Sequence, residues 1–393
     1  MLLKDCCTII AGQSPESKYY NTEGIGVPFF QGKADFGELY PRIRVYCSQP
    51  TKMAKKDDIL LSVRAPVGAT NLSPADVCIG RGLTAIRPKD NINLRFLLYY
   101  FRFFESQLQQ KGTGTTFKAI TQDIVKNLDI PVYPLPEQER IVARIEELFS
   151  QLDSGVETLK KTKEQLAVYR QAVLKEAFEG TLTGHEKKHS VPLGTFVEKP
   201  RYGTSKKCDY AVTNNCVPVY RIPNIDYSVG CIDHTDIKYA EFSENDLVDL
   251  KLKVGDILII RSNGSASLVG RASMVRKNDT GGTFAGYLMR LRITDKTKMN
   301  PKYLLHFLES YNARIYIENK AKSTSGVHNI NSTEISNMHI PVYEIDEQDM
   351  IVSAIEDRLS VCDSIEKTVD TALQQAEAMR QSILKKAFEG RIT

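Results

Sequence analysis

Residues 130–183 and 340–393 are two copies of one segment. They align without a gap at a constant offset of 210 positions, and 24 of the 54 aligned residues are identical. The first copy begins IPVYPLPEQERIVARIEEL and ends RQAVLKEAFEGTLT; the second begins IPVYEIDEQDMIVSAIEDR and ends RQSILKKAFEGRIT. A period this long does not describe a solenoid of small repeats. It divides the chain into two large halves, each with a globular part followed by a long helix, related by an approximate two-fold operation. Such a chain suits a target that also comes in two halves.

Both copies are helical by their apolar spacing. In the first, Ile141, Ile145, Leu148, Leu152, Val156, Leu159, Thr162, Leu166, Tyr169, Val173 and Ala177 advance by alternating steps of three and four. In the second the same seam runs through Ile351, Ile355, Leu359, Cys362, Ile365, Val369, Ala372, Ala376, Met379, Ile383 and Ala387. That spacing is the seam of a coiled coil. Pro136 and Glu137 suit a helix N-terminus, and Gly180 and Gly390 stand where a left-handed cap residue belongs. Two such seams in one chain bury most simply against each other, as an antiparallel coiled coil. The alternative is pairing with a second copy of the chain.

The globular parts share a plan that reads as α/β (α+β). DDILLSVRAPVG (57–68) corresponds to GDILIIRSNGS (255–265), and CIGRGLTAIRP (78–88) to TFAGYLMRLRI (283–293), each pair reading as strands. LRFLLYYFRFFESQL (94–108) corresponds to NPKYLLHFLES (300–310) as a buried helix, the run Phe96, Tyr99, Tyr100, Phe103 and Phe104 falling on one core face. A Gly/Thr loop and exit strand lead into each long helix. The framework is shared while the loop residues differ, as two readers of different sites require. The expected domains are 1–133, 134–186, 187–343 and 344–393.

Charge follows the same division. Residues 1–133 carry 17 Lys and Arg against 12 Asp and Glu, and residues 187–343 carry 22 against 15. Residues 134–186 carry 7 against 10, and 344–393 carry 6 against 11. Basic globular parts beside acidic helices hint at a polyanionic partner. No apolar stretch is long enough to span a membrane, and the N-terminus does not read as a signal peptide. The eight cysteines form no C-x-x-C pair, so neither a zinc site nor a disulfide framework is indicated, and free thiols fit the cytoplasm.

With these features assembled, the chain resembles the specificity subunit of a type I restriction-modification system. The resemblance is carried by P-x-x-E-Q-x-x-I-V-x-x-I-E at 134–146, by its proline-free counterpart at 344–356, and by K-x-A-F-x-G at 175–180 and 385–390. I-I-x-G-x-S-P at 9–15, G-T-x-x-x-x-I at 114–120, R-Y-G-T-S-K-K at 201–207 and R-S-N-G-S at 261–265 add to it. Many members have a longer lead-in before the position of Gly12. The resemblance implies two target-recognition domains, each reading half of an interrupted double-stranded DNA site. It implies a helix pair that sets the gap and docks two methyltransferase (modification) subunits, which carry S-adenosylmethionine. Restriction (nuclease-translocase) subunits using ATP and Mg would join that core.

No catalytic motif is present: neither an Asn/Asp-Pro-Pro-Tyr/Phe run nor a G-x-x-x-x-G-K-[ST] loop occurs. No bound cofactor, metal ligand set or catalytic residue is expected of this chain. Base reading needs directional donors and acceptors, with Arg suited to guanine and Asn or Gln to adenine. In the first domain the candidates are Gln13, Ser14, Gln31, Lys33, Arg64 and Arg81, with Thr115, Thr116 and Lys118 as phosphate contacts. In the second they are Tyr202, Thr204, Ser205, Lys206, Lys207, Arg221, Asn224, Arg261, Asn263 and Ser265, with Lys320, Lys322 and Ser323. Glu137, Gln138, Phe178, Glu347, Gln348 and Phe388 recur at matching places in both copies and are candidate partner contacts. A coiled-coil scaffold whose basic domains bind proteins, or DNA without sequence preference, is the rival reading.

Overall fold

The computed structural model describes the whole chain except residues 113–118, 132, 185, 187, 213–215, 325, 392 and 393; of 322–324 it describes the backbone. It resolves into two compact units, Met1–Lys160 with Asp370–Thr393, and Lys161–Val369. Each contains one globular domain, the first part of one long helix and the last part of the other.

In the first unit, β1 (Cys7–Ala11), β2 (Val27–Phe30), β3 (Ile59–Ser62), β4 (Thr70–Leu72), β5 (Val77–Ile79) and β6 (Leu83–Pro88) precede α1 (Leu94–Lys111). Helix α2, Leu135–Glu179, starts here. An antiparallel sheet has the order β1-β6-β3-β4, and β2 pairs in parallel with β5 through Phe29↔Cys78 and Phe30↔Ile79. In the second unit, β7 (Arg201–Tyr202), β8 (Cys216–Tyr220), β9 (Ile257–Ile260), β10 (Ala272–Met274), β11 (Thr283–Phe284) and β12 (Leu288–Leu291) precede α3 (Pro301–Glu309). Helix α4, Ile345–Phe388, starts here. The sheet order is β7-β12-β9-β10, and β8 pairs in parallel with β11. The internal repeat is therefore a repeat of topology.

The two domains also share a part-buried ion pair. Arg87 donates to Asp58 through Nε at 2.7 Å and Nη2 at 2.8 Å, and Arg292 grips Asp256 through the same atoms at 2.8 and 2.7 Å. Such two-pronged pairs fix orientation as well as charge. Each joins the start of the central sheet strand to the far end of the strand beside it.

Within each unit the two helix segments run antiparallel. In the first, Ile141, Ile145 and Phe149 of α2 cluster with Leu384 and Ala387 of α4, and Arg380 pairs with Asp153. In the second, Arg170 of α2 donates to Asp363 at 2.7 Å and Glu366 at 3.0 Å of α4. Asp153 and Asp363 are repeat equivalents, as are Arg170 and Arg380. Three residues placed on the seam by spacing are exposed: Tyr169, Ile365 and Met379. The following residues, Arg170, Glu366 and Arg380, are half-buried, and the two arginines cross the seam to their ion pairs. A helix of 3.6 residues per turn drifts off a strict 3.5-residue seam, and the drift surfaces at these positions. Gly180 and Gly390 close the helices at φ of 87° and 74°.

The long helices are fastened to their domains by contacts that repeat almost atom for atom. Gln138 is 0% exposed. Its Oε1 accepts from the backbone of Asn93 at 2.8 Å, and its Nε2 donates to the carbonyls of Asn91 (3.1 Å) and Tyr133 (2.8 Å). Gln348, also 0% exposed, accepts from Asn300 at 2.9 Å and donates to Lys298 (2.9 Å) and Tyr343 (2.8 Å). At the other helix ends, Phe388 packs on Phe96, Tyr100 and Phe103, and Phe178 packs on Tyr303 and Phe307. Among the described residues no helix is long and apolar enough to cross a membrane.

Replacing Gln138 or Gln348 by leucine leaves one backbone N–H and two carbonyls without their side-chain partner. Each substitution should cost about 3 kcal/mol, read as a lower urea midpoint together with faster amide exchange at Asn93 or Asn300 respectively. A leucine variant with unchanged midpoint and exchange contradicts this.

Candidate nucleic-acid interface

The strands position the loops. β1, β2, β3 and β5 end, and β6 begins, at one edge of the first domain; β7, β8, β9, β11 and β12 do the same in the second. Backbone hydrogen bonds hold the two edges in the same conformation. In the first, the N–H of Gly12 donates to Leu83 O (3.0 Å), Gln13 to Ile79 O (3.0 Å), Gly80 to Phe30 O (2.8 Å), and Val63 to Gly82 O (3.0 Å). In the second, Gly203 donates to Leu288 O (3.3 Å), Thr204 to Phe284 O (2.9 Å), Ala285 to Tyr220 O (2.8 Å), and Arg261 to Tyr287 O (2.9 Å). Glycine is required at the first of these positions in both: a Cβ on Gly12 would lie 2.2 Å from Gly80 O, and one on Gly203 2.2 Å from Phe284 O.

On this common frame most side chains differ. Equivalent positions carry Gln13 and Thr204, Ser14 and Ser205, Gln31 and Arg221, Arg81 and Gly286, Gly82 and Tyr287, Val63 and Arg261. In the first domain the structure brings Ser14, Gln31 and Arg81 together. Gln31 Nε2 donates to Ser14 Oγ at 2.9 Å, and the backbone N–H of Arg81 donates to the same oxygen at 3.3 Å. Arg64 and Arg81 line one shallow depression with Gly12 and Gln122, beside a second that holds Gln13 and Lys52. Neither Arg64 nor Arg81 forms an ion pair among the described residues. Lys33 does not join this group; it lines a different hollow with Glu38, Arg102 and Glu377. Thr115, Thr116 and Lys118 lie outside the described residues.

In the second domain several candidates are spent internally. Asn224 is 0% exposed and donates to the carbonyls of Asp233 and Asp236, both at 3.0 Å, while accepting from the Arg221 backbone. Arg221 donates to Asp236 Oδ2 at 2.9 Å and to its carbonyl at 2.8 Å. The Tyr210 hydroxyl and Arg221 together hold the Asp236 carboxyl below its ordinary pKa. Both residues therefore build the loop from within, contrary to the expectation from sequence that they face a ligand. Lys206 is tied to Asp246 at 2.8 Å and lies over Phe242; with Ser243 it draws the Asp246 pKa down to about 2.

Arg261 lies 4.3 Å over the Tyr202 ring and donates to Gly286 O (3.1 Å) and Asn329 Oδ1 (3.2 Å). The Tyr202 hydroxyl accepts from the Ser332 backbone at 3.0 Å, Thr204 Oγ1 accepts from Lys206 N–H at 3.1 Å, and Asn263 caps the Ser265 N–H at 2.8 Å. Ser265 bonds Ser267, and Ser205 and Lys207 are exposed. Lys320 lies 6.0 Å over Tyr316; Lys322 and Ser323 belong to the strand Lys322–Thr324, whose backbone pairs with 327–329. Tyr287, 63% exposed at the same edge, was missed; aligning TFAGYLMRLRI on CIGRGLTAIRP places it opposite Gly82.

The candidate partner contacts divide. Gln138, Gln348, Phe178 and Phe388 are engaged inside their units, so recurrence in both copies reflects repeated packing. Glu137 is half-buried; Glu347 is too, and accepts from the Glu344 backbone at 3.0 Å, close to Lys188 Nζ at 3.6 Å. Among the described residues no cluster of His, Cys, Asp and Glu could hold a metal ion.

The division between building and facing residues is measurable. Asn224→Ala should lower unfolding stability by about 2 kcal/mol, whereas Arg81→Ala, which removes an exposed side chain, should change it by less than about 0.5 kcal/mol. Denaturant titration of both variants decides it.

A family model described as the type I restriction modification DNA specificity domain matches residues 1–167. A Methanocaldococcus jannaschii protein named "Putative type I restriction enzyme MjaX specificity subunit" is 41% identical over 175 residues, 44% of this chain and 40% of that one; this chain thus matches under two thirds of that relative's length. The EcoKI type I restriction enzyme specificity subunit of Escherichia coli K12 is 30% identical over 331 residues, covering 81% of this chain and 70% of that one. The crystal structure of the HsdS subunit from Thermoanaerobacter tengcongensis matches at 49% identity over 38% of this chain and 37% of that chain, with a TM-score of 0.36. The chain belongs to the family of type I restriction-modification specificity subunits.

Proposed function

We propose that this chain is the non-catalytic, sequence-reading subunit of a type I restriction-modification complex, each globular domain reading one half of a bipartite, interrupted DNA site. The observation that carries this reading is the pair of edges just described: one backbone frame, used twice, with different side chains at most equivalent positions. Phosphate contacts by Lys and Arg would give salt-dependent affinity, and edge side chains would give sequence preference through the major groove. The antiparallel helices would act as the spacer that fixes the gap, and two repeated surfaces along them would dock two methyltransferase subunits. S-adenosylmethionine would then reside on those subunits, and ATP with Mg on the restriction subunits that join them. Methyl transfer requires a target adenine turned out of the duplex into a pocket supplied by the partner.

Methylation-aware sequencing of cells expressing this chain with its cognate methyltransferase subunit should reveal one bipartite motif. The purified chain alone should transfer no methyl group; transfer without the partner contradicts the proposal. Lengthening both helices by about one turn, ~5.4 Å, should widen the unread gap by one to two base pairs at ~3.4 Å each. An unchanged gap removes the spacer role.

A further inference from the structure

Resting on the reading of the second domain as a half-site reader, we infer that Tyr287 is its base-contacting residue and that Arg261 is the residue that positions it. The ligand feature is an apolar base edge, the thymine 5-methyl, which the major groove offers to an aromatic ring.

The backbone around Tyr287 is held on every side. Ala285 N–H donates to Tyr220 O at 2.8 Å, Gly286 N–H to Thr204 O at 2.7 Å, and Leu288 N–H to Ala285 O at 2.9 Å. The carbonyl of Tyr287 itself accepts from Arg261 N–H at 2.9 Å. The ring therefore projects from a turn with no slack, yet it is 63% exposed. Of the other exposed tyrosines of this domain, Tyr210 donates to Asp236 and lies under Lys238, Tyr227 lies under Arg271, and Tyr311 stands at the start of the helix Tyr311–Lys320. Tyr287 has no such partner among the described residues.

The comparison of the two edges shows how the roles moved. In the first domain Arg81 projects from the turn, and the next position must be glycine, since a Cβ on Gly82 would lie 2.4 Å from Gln31 O. In the second domain glycine stands where Arg81 was, and the following position carries a ring. The second domain's arginine comes instead from the end of β9, and its guanidinium is consumed by Tyr202, Gly286 O and Asn329. Arg261 thus pins the turn from both sides, through its own N–H and through Gly286 O.

The test uses the full chain with its methyltransferase subunit, and the wild-type motif is read first by methylation-aware sequencing. Tyr287→Phe should leave the motif unchanged. Tyr287→Ala should relax it at one A·T position of one half-site only, with discrimination there falling about fivefold, the scale of one buried methyl contact. Uracil in place of thymine at that position should weaken wild-type binding by a similar factor and leave Tyr287→Ala unaffected. Arg261→Lys keeps the charge and loses the two-pronged anchor; it should relax the same position, and the double variant should be no worse than either single one. An unchanged motif in Tyr287→Ala, or an equal loss at every position, overturns the base contact. Relaxation by Arg261→Lys at a different position, additive with Tyr287→Ala, overturns the positioning role. A wild-type chain that yields no bipartite motif sinks the half-site reading itself, an outcome distinct from these.

Discussion

The interaction on which each unit depends is a buried glutamine amide. A long helix attached to its domain by one chain crossing is free to swivel about that crossing. Gln138 removes the freedom by bonding the N-terminal lead of α1 and the segment just before α2 at once, and Gln348 does the same for α3 and the segment just before α4. Three hydrogen bonds from one buried amide are worth more for direction than for net stability, because the amide has two ends and both must be satisfied together. Phe388 and Phe178 complete the clamp by packing on the same aromatic helices from the opposite long helix. Each domain is thereby held by the start of one helix and the end of the other.

Much of this was legible because hydrophobic burial writes periodic signals. The long helices, their caps and the buried face of Phe96, Tyr99 and Tyr100 follow from spacing alone. The seam was legible only to within one residue. Tyr169, Ile365 and Met379 satisfy the heptad rule and are exposed, while Arg170, Glu366 and Arg380 reach inward with charged ends. Apolar content and seam position separate wherever a long side chain can bury its stem and still meet a partner.

The site was less legible, for a different reason. Gln138, Asn224 and Arg221 have the chemistry of surface recognition residues, and each is spent on backbone groups of its own fold. Side-chain type states what a residue can bond to; only the neighbouring carbonyls state whether it is already bonded. Recurrence misled for the same reason: Gln138 and Phe178 repeat because the junction repeats. The residues left facing solvent at the tips, Arg64, Arg81, Lys207 and Tyr287, are those for which the frame supplies no partner.

The frame itself explains why two tips can differ so widely. Its cohesion comes largely from N–H and C=O groups, which every residue but proline supplies, so edge side chains can vary, although Arg221 and Arg261 add structural bonds of their own. Other constraints are steric. Gly12 and Gly203 must stay glycine because a second backbone lies against them, and Gly82 must because Gln31 does. Where Arg221 replaces Gln31 and turns inward to Asp236, a ring occupies the position opposite Gly82. One substitution at the end of a neighbouring strand thus accompanies the change of the exposed group from a guanidinium to an aromatic ring, with the hydrogen-bonded frame intact.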